Sequence, residues 1–205
     1  MTTDELKDYL QNGARFKIKE LNVKNGTIEY IAFDTMTITN LADDDFQELY
    51  NFFYEGLSEQ SRVYFPFYPL LRPQPETPQT VRERIVQWRV ESDWFFYVLK
   101  DGVHIIGVSL LKRISTGHPV AGIAIADKYH KRGLGTVMLK AAIAQAKLLN
   151  LYTIYSGVAP DNDASYALHT KCGFVLTGQT MPYFVTKNGE NIIARHDKEL
   201  ILQVS

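Results

Sequence analysis

Residues 133–149 are rich in alanine and carry Leu134, Val137, Met138, Ala141, Ala144 and Leu148 on one helical face. They stand between two strand-like stretches, residues 123–126 and 151–158. No other feature constrains the fold as much. Neighbouring strands joined by such a helix pair in parallel, through a crossover that lays the helix on the sheet.

Everything around that unit reads as antiparallel. Lys24-Asn25-Gly26 lies between residues 16–21 and 27–33, and Asn-Gly tolerates the positive φ angles of a tight hairpin. Asp101-Gly102 plays the same part between residues 94–99 and 104–111. Short strands are expected at 37–39 and 119–126, and closing strands at 174–177 and 192–202, split by Lys187-Asn188-Gly189. Acids at 43–45 open a helical pattern of Phe46, Leu49, Tyr50, Phe53 and Leu57. Val81, Arg84, Ile85 and Trp88 mark another helix over residues 80–90, and residues 162–171 a third, stopped by Gly173. Between them, Tyr64, Phe65, Phe67 and Tyr68 read as core or as a pocket wall, followed by the proline-rich loop 72–78. The fold class is α/β of the α+β kind, with a mixed, mostly antiparallel central sheet flanked by helices.

The turn into the alanine-rich helix is where chemistry concentrates. Lys128-Tyr129-His130-Lys131-Arg132-Gly133-Leu134-Gly135-Thr136 delivers the chain from a strand to a helix start. There the first N–H groups lack partners and the helix dipole is positive. Glycines at 133 and 135 open the backbone to an anion, and Lys131 and Arg132 add charge, a combination suited to a pyrophosphate. A dinucleotide fingerprint would need a third glycine where Met138 stands and an acid in residues 151–158, and both are missing. The Gly-Lys-Ser/Thr of a Walker loop is also absent.

Behind the crossover comes Asn162-Asp163-Ala164-Ser165-Tyr166-Ala167-Leu168-His169-Thr170-Lys171-Cys172-Gly173-Phe174. Together with the Gly-Leu-Gly loop, this block resembles the GCN5-related N-acetyltransferases (GNAT). Their loop reads Gln/Arg-x-x-Gly-x-Gly/Ala, and Asn162, Lys171, Gly173 and Phe174 fall on the later positions of the family pattern. The resemblance is clear over residues 93–174 and extends from Thr37 to the C-terminus. It implies a central sheet with a splayed strand pair that holds acetyl-CoA as acyl-donor cosubstrate, with no metal. Ile123 and Ile125 would offer backbone groups to the pantetheine arm, and the loop from Arg132 through Gly133, Leu134 and Gly135 to Thr136 would hold the pyrophosphate beside Lys131. Asn162 would hydrogen-bond the pantetheine region, with Ser165 close by.

Two positions depart from the family. His130 stands where Gln or Arg is usual, as a hydrogen-bond donor or a solvated loop residue. His169 stands at the frequent general-acid tyrosine. It is either the acid or cofactor-side donor, or a helix-surface histidine in an enzyme whose thiolate is protonated by water. Tyr166 is a weaker substitute. No carboxylate lies between Ser115 and Ala126 to act as base, and Tyr155, Ser156 and His118 are candidates by location only.

A formal charge of −1 argues against a general polyanion binder, so no nucleic acid is expected. One cysteine, Cys172, allows no internal disulfide, and five scattered histidines show no metal-ligand spacing. The N-terminus lacks a signal-peptide pattern and the apolar runs are too short to span a bilayer, so no membrane is expected and a cytoplasmic location is. Residues 1–34 read as an N-terminal extension with a β-hairpin and 35–205 as the acyltransferase domain; a homodimer stays open. The expected activity is acetyl transfer to a primary amine, of a small molecule or a peptide N-terminus, by direct attack. A non-catalytic acyl-CoA sensor or interaction module is the alternative. Few acids lie in residues 46–71 and 80–90 apart from Glu48, Glu55 and Glu59, which disfavours a polyamine acceptor.

Overall fold

The computed structural model describes residues 1–65, 77–91, 93–187 and 190–204. Phe67, Tyr68, most of the proline-rich loop and the Asn188-Gly189 turn lie outside the described residues, as does the side chain of Trp88. Nine strands form one sheet: β1 (Ile18–Lys24), β2 (Thr27–Phe33), β3 (Met36–Asn40), β4 (Phe95–Asp101), β5 (His104–Lys112), β6 (Val120–Ile125), β7 (Thr153–Val158), β8 (Val175–Lys187) and β9 (Glu190–Gln203). Their order is β1-β2-β3-β4-β5-β6-β7-β9-β8. Asn25 and Gly26 take left-handed φ angles of 52° and 74° in the first hairpin, as a two-residue turn requires.

Among the described residues only β6 and β7 run parallel, and they touch at one register point, Val120 opposite Tyr155, beside a 2.8 Å bond from Tyr155 N–H to the Pro119 carbonyl. Past that point the strands part. Between them in sequence lies α5 (Leu134–Leu148), the anticipated crossover helix. Alanines at 141, 142, 144 and 146 let it sit close on the sheet, with Val137 and Met138 in one apolar cluster and Leu139 and Ile143 in the next. On the other face, α2 (Phe46–Asn51) and α4 (Pro78–Glu91) bury Phe46, Leu49, Val81 and Ile85 against Phe96, Val98, Val108 and Leu110. The expected helix through Leu57 stops being α-helical at Asn51 and continues as a π-helical turn, Phe52–Gly56, with Phe52 and Phe53 both buried. A short helix, α3 (Glu59–Tyr64), follows.

The N-terminal helix α1 (Thr3–Gln11) has no counterpart in the sequence expectation. It starts at a Thr2–Glu5 capping box and completely buries Leu6 and Leu10 with Ile28, Ile31 and Phe33. Gln145 of α5, also fully buried, fastens the β1–β2 hairpin to the core. Its Oε1 accepts from Ile28 N–H (2.9 Å) and the Tyr97 hydroxyl (2.7 Å), and its Nε2 donates to the Gly26 carbonyl (2.9 Å). The strand expected at 174–177 runs on to Lys187. Gly178 and Pro182 interrupt its pattern, and the sheet edge is where a strand proline is tolerated. Among the described residues no helix is long and apolar enough to cross a membrane.

Candidate active site

Strand parity decides which backbone groups face the gap between β6 and β7. Ala126 N–H donates to Ile106 of β5, whereas the Pro119 carbonyl accepts from Tyr155 on the β7 side. Odd-numbered residues of β6 therefore turn N–H and C=O toward β7, and beyond the one contact point they meet no strand. Ile123 and Ile125 are the residues so placed. The Ile125 carbonyl has a partner: His130 Nε2 donates to it at 2.8 Å, so His130, half exposed, pins the loop back onto the end of its strand.

The loop turns through two left-handed residues, Lys131 (φ 61°) and Gly133 (φ 83°). Thr136 N–H closes onto the Gly133 carbonyl at 3.1 Å. The N–H groups of Leu134 and Gly135, in the first turn of α5, have no acceptor among the described residues, so free donors converge at the helix start. Gly135 is closely overlaid: a Cβ there would meet Leu168 Cδ2 at 3.1 Å and Ile123 Cδ1 at 3.4 Å, so these side-chain ends would have to give by a few tenths of an ångström. Arg132 is turned aside, its guanidinium 4.9 Å from the ring of Tyr129. Lys131 is exposed at the mouth.

Across the gap, α6 (Asp163–Lys171) is capped by Asn162, whose Oδ1 accepts from Ser165 N–H at 3.0 Å. The capping leaves the amide group of Asn162 for another partner. His169, 3% exposed, lies one turn beyond Ser165. Its Nδ1 donates to the Ser165 carbonyl at 2.8 Å, and Ser165 Oγ is 3.4 Å from the same nitrogen. That bond fixes the tautomer, so Nε2 accepts from the Ser156 hydroxyl of β7 at 2.8 Å. Burial pushes the His169 pKa below its ordinary value of 6.5 despite the backbone bond, and the ring is neutral at neutral pH. The edge of Phe174 packs against it, ring centroids 5.1 Å apart. Tyr166 packs into the core instead, and burial raises the Cys172 thiol, so neither is poised to react.

A cavity of about 740 Å³ joins these features. It runs from the α5 start through the gap, past Ser156 and His169, to a chamber on the α3 side of the sheet lined by Tyr64, Phe65, Lys112, Tyr183 and Asp197. Gly157 lines it with bare backbone, where a Cβ would meet Met181 Sδ at 3.2 Å and Asp197 Cβ at 3.4 Å. Asp197, buried in the chamber wall, is held by Arg195 Nε at 2.5 Å. Lys112 forms no ion pair among the described residues, and burial lowers its pKa from 10.5 to about 8. Asp197 and Lys112 escape sequence reading because β9 and β5 reach the chamber only through the sheet order. The bare two-residue alternation that places them there is shared by every strand.

Residues 35–175 match the family model for the acetyltransferase (GNAT) domain. The chain belongs to the GNAT family. It is thus an acyl-CoA-dependent N-acyltransferase, with acetyl-CoA as acyl donor. Its fold is similar to that of a ribosomal-protein-S5-alanine acetyltransferase from Vibrio fischeri (TM-score 0.67, 18% identity, covering 85% of this chain and 96% of that one). It is also similar to a spermidine N-acetyltransferase from Vibrio cholerae in complex with CoA and spermine (TM-score 0.62, 20% identity, 82% and 95%). An N-acetyltransferase from Staphylococcus aureus is similar too (TM-score 0.61, 15% identity, 84% and 100%). No curated protein sequence matches the chain.

Proposed function

We propose that the protein acetylates a primary amine, of a small molecule or a peptide N-terminus, by direct attack on acetyl-CoA held between β6 and β7. The observation that carries this reading is the continuous passage from the α5 start to the Tyr64–Asp197 chamber on the other side of the sheet. Bound acetyl-CoA supplies the activated acyl carbon and a thiolate leaving group. The open N–H groups of Leu134 and Gly135, with the Thr136 hydroxyl, hold the pyrophosphate. The outward N–H and C=O of Ile123 hold the pantetheine arm like a strand, and the Asn162 amide supports its other side.

Ser156 and His169 then move the proton that must leave the amine and reach the sulfur. The neutral Nε2 takes a proton through the Ser156 hydroxyl as the nitrogen becomes positive, and returns it by the same route to the departing sulfur. His169 is on this reading a relay, not a standing imidazolium acid. Such help is worth roughly 10²–10⁴-fold.

The chamber does not favour an acceptor with several positive charges. Asp197, the acid in its lining, is already paired with Arg195. A polycation such as the spermine named with the Vibrio cholerae structure would find little free negative charge. Free-thiol release from acetyl-CoA with a panel of monoamines, polyamines and peptides tests the reading. Release with a monoamine or peptide N-terminus is expected. Release with polyamines alone, or with no member of the panel, would overturn this acceptor class.

A further inference from the structure

A second hollow, about 210 Å³, opens on the outer side of the α5 start. It shares Lys131, Gly133 and Thr136 with the main cavity and is completed by Gly13, Ala14 and Arg15 of the α1–β1 loop and by Lys171 at the end of α6. Three cations from three separate segments face it, and its lining contains no acid. Arg15, Lys131 and Lys171 form no ion pair among the described residues. Like charges gathered in this way repel, and the repulsion is relieved by a bound anion.

The placement of Arg15 is built rather than incidental. Leu6 and Leu10 anchor α1 in the core. Lys140 of α5 donates to the Tyr9 carbonyl at 2.9 Å and also to that of Asn12. At the far end of the loop, Gln11 Oε1 accepts from Ile18 N–H at 2.9 Å. Phe16 packs on Phe33 with ring centroids 5.1 Å apart. The loop is thus clamped over the helix start, with Arg15 Cδ 3.9 Å from where a Gly133 Cβ would stand.

The chemistry of the cofactor says what that anion is. With the pyrophosphate at the helix start and the acyl-bearing arm in the cavity, the nucleotide half of CoA leaves in the other direction. That half ends in a 3′-phosphomonoester, close to two negative charges at neutral pH. We propose that Arg15, Lys131 and Lys171 bind the 3′-phosphate of CoA, so that a segment outside residues 35–175 selects the phosphorylated cofactor. The assignment rests on the acetyl-CoA reading of the main cavity.

Titration calorimetry of the full chain with CoA and with 3′-dephospho-CoA tests it. The wild type is expected to bind CoA about tenfold or more tightly than the dephospho form, as for charge-assisted hydrogen bonds. Arg15→Gln and Lys171→Gln should each pull that ratio toward one, and both side chains are exposed enough for folding to survive. Added salt should shrink the wild-type ratio as well. Equal wild-type affinity for the two ligands would overturn the notch while leaving the acetyl-CoA reading intact, and so would variants that keep the wild-type ratio. Failure of the wild type to bind either ligand would remove the notch and the acetyl-CoA reading together.

Discussion

His169 sits where a helix, a strand and the cavity wall meet, hydrogen-bonded through both ring nitrogens. Replacing it with Phe should lower kcat by about 10²–10⁴-fold. Ser156→Ala should do much of the same damage, with the double variant far from additive, because the two act as one unit. The KM for acetyl-CoA should change little. Proton uptake gives a second test. An unfolded chain protonates this imidazole near 6.5, while the folded pKa lies lower. Stability is therefore lost as pH falls from 6.5 toward the folded value, and the His169→Phe variant should lack that loss in denaturant titrations. Lys112 runs the same way at higher pH. Its folded pKa of about 8 lies below 10.5, so the wild type should gain Tm on Lys112→Met as pH rises from 8 toward 10.5. Gly133→Ala places a Cβ at φ 83°, at a cost of about 1–2 kcal/mol, and should also weaken CoA binding.

At the scale of elements, the crossover unit and its loop are legible in the sequence because each rests on local chemistry. An alanine-rich helical face, two glycines at a helix start and the Asn162 cap declare themselves within a few residues. The Ser156–His169 pair does not, since it joins a strand to a helix 13 residues on, and neither periodicity nor composition links them. Helix α1 is hidden for another reason: its nine residues carry only Leu6, Tyr9 and Leu10 as apolar signal, among acids that read as a solvated terminus. Tertiary burial decides the matter. Leu10→Ala should cost about 2–5 kcal/mol in chemical denaturation, as for a fully buried leucine. A surface helix would lose only a few tenths.

On the scale of the whole molecule, the sheet is continuous except at one place. Eight strand pairings hold nine strands, and the β6–β7 pairing reduces to a single register point. Because the strands part there, a passage crosses the sheet between faces that are otherwise sealed by α5 on one side and by α2 and α4 on the other. On the proposed function, donor and acceptor approach one point from opposite faces, which removes much of the entropic cost of a two-substrate reaction. The first hairpin and α1 share their apolar cluster with α5, so a change at the N-terminus should be felt at the cofactor loop. The central claim is that the thiol of CoA lies in this passage beside Ser156. A crystal structure of the protein with CoA tests it most directly. The sulfur is expected within hydrogen-bond reach of Ser156 Oγ, with the arm paired to Ile123; a sulfur outside the β6–β7 gap, or out of reach of that hydroxyl, would contradict it.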